Sequence, residues 1–286
     1  MVQSLPMVSL ALDHAGRGGK PLLLLHGWPE TRLIWERNVG PLADAGFEVI
    51  APDLRGFGES PLAPDDRYDV AAHSADLAEL VAGLGHDRIF VCGGDLGGVV
   101  AQDLSLRFEG LVERLCLFNT IPPLLEDGPP PIPRSTRMAA DYFIRHAQDA
   151  DGLAAELDTP DKRRRYISTF YGSRFWAAPG SFAREDVDRM TEAFADADRF
   201  RASIANYEYA GGPRQAPEPP RLLEPNPTPT LILYGPEDHV ITADFPERME
   251  AAFPNRAGPF VVQGAGHFLQ WERADVLNGA LQWLCF

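Results

Sequence analysis

The stretch Arg88-Ile89-Phe90-Val91-Cys92-Gly93-Gly94-Asp95-Leu96-Gly97-Gly98 decides the fold. A short apolar run enters a Gly-x-Asp-x-Gly turn, and a helical pattern follows over Gly98–Phe108. Strand, tight turn and helix in that order form an elbow that displays one side chain above a sheet of parallel strands. The residue on display is Asp95, where such elbows usually carry serine. That exchange alters the chemistry. A serine alkoxide attacks acyl carbon, whereas a carboxylate attacks an sp³ carbon bearing a strained or departing oxygen or halide and leaves an alkyl ester on the protein. The amide dipoles of the following helix favour the ionised form, and with a reference pKa near ~3.9 Asp95 needs no separate base at neutral pH. The plain structural alternative for Asp95 is a helix N-cap.

Working outward, strand-like runs recur at Met7–Leu12, Pro21–Leu25, Phe47–Ala51, Arg88–Val91, Leu115–Phe118, Thr230–Tyr234 and Phe260–Val262. Helical patterns over Thr31–Ala45, Val70–Leu84, Gly98–Phe108, Ala243–Phe253 and Arg273–Leu284 separate many of them. Short apolar strands alternating with helices predict an α/β fold, a mostly parallel sheet covered on both faces. Ligands of such sheets bind beyond the carboxyl ends of the strands. The alternation stops between Ile121 and Asn226, a stretch bracketed by Pro122-Pro123, Pro129-Pro130-Pro131 and Pro133 before it and by Pro213, Pro217, Pro219-Pro220, Pro225 and Pro227 after it. Its interior is helical in pattern and rich in Tyr, Phe and Trp. Stiff hinges around an aromatic insert predict a helical lid over residues 121–226, on a core built from residues 1–120 and 227–286.

At 286 residues and 31.4 kDa the chain is long enough for one large core carrying one insertion. Cys92 and Cys116 lie in apolar strand-like runs and Cys285 lies near the end, so reduced, buried thiols are expected, as in the cytosol. No basic segment followed by an apolar one opens the chain, and no apolar run reaches ~18 residues, so a cytoplasmic protein without membrane contact is expected. The net charge of −15, from 41 acidic and 26 basic residues, argues against nucleic acid as a partner. The one basic run, Lys162-Arg163-Arg164-Arg165, reads as a solvated helix face.

Other loops at the strand ends carry complementary chemistry. His26-Gly27-Trp28-Pro29-Glu30 follows an apolar run, and its glycine allows a sharp turn that aims the Trp28 amide at a reacting oxygen. With the Leu96 amide this makes an oxyanion hole. His26 reads as structural, and a cis bond suits Trp28–Pro29 in so tight a turn. Hydrolysis of an ester needs a base, and Gly264-Ala265-Gly266-His267-Phe268 offers His267 between the last strand and the last helix. His14, His73, His86, His146 and His239 lie in polar turns or helical stretches and read as surface residues. The turn Gly235-Pro236-Glu237-Asp238 supplies an acid to orient the base; Asp238 is the choice, with Glu237 in reserve. No His, Cys and carboxylate set has ligand spacing, so no metal or other cofactor is expected.

On these motifs, together with Asp53-Leu54-Arg55-Gly56-Phe57-Gly58-Glu59-Ser60, the chain resembles the α/β-hydrolase superfamily, and specifically its epoxide hydrolases, over nearly its whole length. The resemblance implies an α/β-hydrolase fold with an eight-stranded-type sheet and a helical cap inserted after the sixth strand. It also implies two lid tyrosines that hydrogen-bond the epoxide oxygen. Tyr142, in Tyr142-Phe143-Ile144-Arg145, matches the first; Tyr207 matches the second, with Tyr209 as the alternative. The family often has Arg after that second tyrosine, where this chain has Glu208. Glu30 matches a position that orders the hydrolytic water, and a capping carboxylate is its structural alternative.

Haloalkane dehalogenases resemble the chain too, but they place Trp after the nucleophile to hold the departing halide, and fluoroacetate-type dehalogenases place Arg there. This chain has Leu96, as a departure from many epoxide hydrolases as well. Trp176 keeps a halide donor available from the insert. The reading is therefore a cofactor-independent epoxide hydrolase with an Asp95-His267-Asp238 triad, acting on a small, largely apolar epoxide with water. A dehalogenase and a catalytically silent binding protein of this fold are the alternatives, and a homodimer is left open.

Overall fold

The computed structural model describes residues 8–129 and 140–285. Met7, which opens the first expected strand, and Pro130, Pro131 and Pro133 lie outside the described residues. The strands are β1 (Leu12–Ala15), β2 (Lys20–Leu25), β3 (Phe47–Pro52), β4 (Ile89–Gly94), β5 (Val112–Phe118), β6 (Thr230–Tyr234) and β7 (Arg256–Val261). They form one sheet in the order β1-β3-β2-β4-β5-β6-β7. Only β1 is antiparallel to its neighbour.

The sheet has seven strands among the described residues, one fewer than the eight-stranded plan, and the helical insertion accordingly follows β5. Among the described residues the first strand begins at Leu12; just before it the Ala11 amide is taken by the Ser60 hydroxyl at 2.9 Å. Leu22, Leu23, Leu24 and Leu25 on β2 are fully buried, and each contributes roughly 2 kcal/mol of apolar burial. At the far edge, β7 leaves Phe260 and Val261 half exposed and carries Pro259, which cannot donate to a further strand.

Helices α1 (Glu36–Asp44), α2 (Val70–Gly83) and α3 (Asp95–Arg107) follow the early strands; α9 (Phe245–Ala252), α10 (Leu269–Glu272) and α11 (Ala274–Cys285) follow the late ones. α1 packs on α11 and α2 on α3, forming the two layers that cover the sheet. Between β5 and β6 lie α4 (Ala140–Gln148), α5 (Ala150–Glu156), α6 (Pro160–Gly172), α7 (Arg184–Glu192) and α8 (Ala197–Gly211). α4 and α5 pack along α8, and α6 on α7. Thr159 caps α6 through the Lys162 amide, and Asp196 caps α8 through that of Arg199. The basic run on α6 is not a uniformly solvated face. Arg163 is buried, and its guanidinium donates to the carbonyls of Leu157 and Ala195, tying α6 to the ends of its neighbours. Among the described residues no helix is long and apolar enough to cross a membrane.

The chain leaves β2 toward β3 on one side and returns to β4 on the other, so the winding reverses between β2 and β4. A crevice opens at the carboxyl ends of such a strand pair. Leu25 is in register with Gly93, which sets the loop after β2 beside the turn after β4. The helical pattern predicted from Gly98 begins at Asp95, because the glycines serve the approach of neighbouring backbone instead of interrupting structure. A Cβ on Gly97 would lie 2.2 Å from the Leu25 carbonyl oxygen, and one on Gly94 would lie 2.2 Å from the Phe118 ring.

A pair of glycine substitutions tests this account by urea unfolding. Gly97→Ala should lose more than about 2 kcal/mol, since backbone on the facing strand has little room to yield. Gly83→Ala, in α2 with nothing within 4 Å of the new methyl, should gain about 0.5–1 kcal/mol.

Candidate active site

Asp95 occupies the first position of α3 with φ 45°, a left-handed backbone held by its surroundings. Its amide donates to the Asn119 carbonyl at 3.0 Å, and its carbonyl accepts from the Thr120 hydroxyl at 2.7 Å. The N-cap position of α3 belongs to Gly94, which leaves the Asp95 carboxylate free to face the crevice. Across that crevice the Trp28 amide donates to Asp95 Oδ1 at 2.8 Å. Gly27 makes this approach possible, since a Cβ there would stand 2.5 Å from Asp95 Cβ. Burial pushes the Asp95 carboxyl up, but the His267 ring and the amides of Trp28 and Leu96 outweigh it and hold the group below its ordinary range.

His267 sits in the loop between β7 and α10, fully buried. Its Nδ1 lies 2.9 Å from Asp238 Oδ2 and its Nε2 lies 3.4 Å from Asp95 Oδ2, where Nε2 meets no hydrogen-bond partner among the described residues. Asp238 is itself fixed, for its Oδ1 accepts from the amides of Val240 at 2.7 Å and Ile241 at 3.1 Å. Nδ1 thus carries the proton toward Asp238 and Nε2 faces Asp95. Burial would lower the imidazole pKa, but the two carboxylates hold it well above its ordinary value. Glu237, the reserve acid, is exposed, and its amide donates to the Ala265 carbonyl; it makes no contact with the base.

The loop after β2 is held from within. His26 uses both ring nitrogens, accepting from the Leu54 amide at 3.0 Å and meeting the Gly27 carbonyl at 2.8 Å, which is the structural role expected of it. Trp28–Pro29 is cis. Glu30 is buried; its Oε2 accepts from the Gly27 amide at 2.6 Å and its Oε1 from Gln270 Nε2 at 2.9 Å. It does not cap the next helix, because Thr31 does so through the Leu33 amide. Burial, with the nearby Asp95 charge, raises the Glu30 carboxyl to about 7. Tyr171 from α6 donates to the Pro29 carbonyl, so the insertion grips this loop as well.

Aromatic side chains of the insertion close over Trp28. Tyr142 stacks on its indole at 5.9 Å and 4°, and His146, Phe170 and Tyr207 meet it edge-on at 4.7, 4.8 and 5.5 Å. Trp176 lies edge-on to His267 at 4.7 Å and to Tyr142 at 5.2 Å. Tyr209 does not join them. Two positions on from Tyr207 it faces another side of α8, packing near Tyr68 and Ala205 with the Arg214 guanidinium 5.4 Å from its ring. Glu208 between them is buried and paired with Arg201 at 2.9 Å, so the unusual residue after Tyr207 serves an ion pair inside the insertion. A cavity of about 620 Å³ opens on the outer side of this wall, lined by Tyr142, Phe170, Phe175 and Trp176 with Arg145 and Glu156 among its polar residues.

Sequence reasoning missed three partners. Asn119, with φ 40°, donates to the carbonyls of Gly266 at 2.6 Å and His267 at 3.2 Å, accepts from the Gly235 amide at 2.9 Å, and holds the Asp95 amide. It therefore ties together the turns bearing Asp95, Asp238 and His267. Its place directly after β5, beside the elbow strand, was the available signal. Gln270 and His146 are the others. His146 was read as a surface residue but is buried, with Nε2 2.8 Å from the Tyr166 hydroxyl, and desolvation lowers it to about 3. Among the described residues no group of His, Cys, Asp and Glu is arranged to hold a metal ion.

The family model for the alpha/beta hydrolase fold matches residues 20–274. Over 268 residues the chain is 32% identical to the soluble epoxide hydrolase of Corynebacterium sp. (strain C12), spanning 92% of this chain and 90% of that one. It is 28% identical over 303 residues to epoxide hydrolase A of Mycobacterium tuberculosis (strain ATCC 25618 / H37Rv), spanning 96% and 93%. Among solved structures, epoxide hydrolase CorEH without ligand matches with a TM-score of 0.84 at 27% identity, over 98% of this chain and 96% of that one. The chain belongs to the α/β-hydrolase family, within its epoxide hydrolase branch.

The raised Glu30 carboxyl has a consequence for stability. Its folded pKa of about 7 exceeds the ordinary 4.5, so its contribution is complete below about pH 4.5 and is lost as pH rises through 7. Glu30→Gln should therefore gain on the wild type between pH 5 and pH 9, by of the order of 3 kcal/mol, in urea unfolding at the two pH values. Equal pH dependence in both proteins contradicts the assignment.

Proposed function

We propose that the protein hydrolyses epoxides to vicinal diols through an ester on Asp95. Epoxide hydrolysis in general rests on the family to which the chain belongs. The observation that carries the ester route is the carboxylate of Asp95 at the elbow, with the Trp28 amide on one oxygen and the His267–Asp238 pair on the other. A carboxylate kept ionised by these neighbours attacks an epoxide carbon, and the carbon–oxygen bond of the ring breaks. Tyr142 and Tyr207, both against Trp28, donate hydrogen bonds to the ring oxygen and protonate it. Residues 121–226 act as the cap over this chemistry.

In the second step His267 Nε2 takes a proton from water, whose oxygen bonds to the Asp95 carboxyl carbon. Trp28 and Leu96 amides hold the oxyanion, as their approach to the resting carboxylate supports. Collapse breaks the alkyl ester bond, the diol oxygen takes the proton from His267, and the acid proton left on Asp95 passes to the lid tyrosinate, which restores both the carboxylate and the phenol. Asp238 keeps the ring in the tautomer that leaves Nε2 open, and Glu30 orders the water from beside the Gly27 amide. Leu96 offers no side-chain donor where a halide would leave, which speaks against the dehalogenase reading. The three buried free cysteines are in keeping with a cytoplasmic setting.

Turnover of styrene oxide in ¹⁸O-water tests the route. In a single turnover with enzyme in excess, label should enter the Asp95 peptide and be missing from the diol; label passing straight into that diol defeats the ester. His267→Gln should accumulate the ester with turnover reduced at least about 10²-fold, and Tyr142→Phe and Tyr207→Phe should each slow ester formation by about 10-fold or more. Chloride release from chloroalkanes at a rate matching epoxide turnover would favour the dehalogenase reading.

A further inference from the structure

We propose that Glu272 is a positioning residue that locks the cap segment Trp176–Ser181 to the loop bearing His267, so that the base is in register only when that segment is seated. The inference rests on the ester route proposed above. Four donors converge on this one carboxylate. Oε2 accepts from the amides of Gly266 at 2.7 Å and Ala178 at 2.9 Å and from the Ser181 hydroxyl at 3.3 Å, and Oε1 accepts from the Phe268 amide at 3.0 Å. None of the four is a cation. Gly266 and Phe268 flank the base, and the His267 amide between them donates to the Trp176 carbonyl at 2.6 Å. All three consecutive amides around the base are thus anchored, two to Glu272 and one to the insertion.

The insertion answers with its own contacts. Ala178 and Ser181 share the carboxylate, the Trp271 indole donates to the Ser181 carbonyl at 3.1 Å, and the Trp176 ring lies 4.7 Å from that of His267. No side chain fits between the segments, for a Cβ on Gly266 would stand 2.5 Å from the Trp176 carbonyl oxygen. A carboxylate suits the position because it accepts at both oxygens. A glutamine of the same shape turns an N–H₂ toward one set of donors, leaving them unpaired and the loop free to shift. Burial raises the Glu272 carboxyl, and the amide donors oppose that rise.

His267 acts as base only in the second step, which separates this role from a general structural one. Ester formation and breakdown are measured for E272Q, E272D and S181A with styrene oxide, by acid quench and mass analysis of the Asp95 peptide. In E272Q, formation should stay within about threefold of the wild type while breakdown slows at least about tenfold. kcat and KM should then fall together, leaving kcat/KM within about threefold, and the limb of the kcat–pH profile set by the base should move. E272D, which keeps the charge, should recover part of the breakdown rate, and S181A should slow breakdown by a smaller factor of the same sign. Equal loss in both steps, or loss in neither, overturns the proposal; if E272Q does not fold, unchanged breakdown in E272D and S181A overturns it. A wild type that turns over without any trapped ester defeats the ester route itself, an outcome distinct from trapped ester whose breakdown ignores Glu272.

Discussion

Everything in the site follows from how closely backbone approaches Asp95. The left-handed turn at this residue, the fit of Gly97 under the Leu25 carbonyl and of Gly27 against the Asp95 side chain bring two loops within hydrogen-bond reach across the sheet's switch point. A side chain at either glycine forces the strands apart, and the Trp28 amide is then no longer 2.8 Å from the carboxylate. The polar geometry is therefore a product of packing. Local strain at Asp95 and Asn119 persists because each is held by hydrogen bonds from another loop.

What the sequence made legible was whatever depends on local pattern. β2, β3 and β6 were found within a residue, because buried parallel strands read as unbroken apolar runs. The candidates Asp95, Asp238, His267 and Trp28 stood out because each lies in a turn with its own glycine signal, and the structure brings all four together. Asn119, Gln270 and Glu272 were not legible. Their partners are mostly backbone groups far away in sequence, and an isolated Asn, Gln or Glu carries no period or turn signature. Arg163 and His146 failed for the opposite reason. Polar residues in a helical stretch look solvated, yet both are buried within the insertion, where the Arg163 guanidinium finds carbonyls and His146 Nε2 a tyrosine hydroxyl.

The insertion does more than cover the crevice. Tyr171 reaches the loop after β2, Trp176 the loop after β7, and Ala178 and Ser181 the Glu272 carboxylate on α10, so one segment of it contacts both sides of the site. Tyr142 on α4 meets the core through the Trp28 ring, on which it stacks. Directional bonds fasten the α8 side too, where the Trp28 indole donates to the Ser203 hydroxyl at 3.3 Å and Arg199 to the Ser60 carbonyl at 2.7 Å.

Charge around His267 explains how one imidazole serves a two-step route. In the resting protein, two carboxylates flank the ring and hold its pKa well above the ordinary value, a state suited to keeping Asp95 ionised and poor for accepting a proton. On the proposed route the first step turns Asp95 into a neutral ester. One of the two charges that raised the imidazole is then gone, while burial, which lowers it, is unchanged. The imidazole must release its proton more readily after alkylation than before it, so the base is generated by the step that creates its need. Asp95 thus acts on its base through its charge, which a serine at the same elbow could not do.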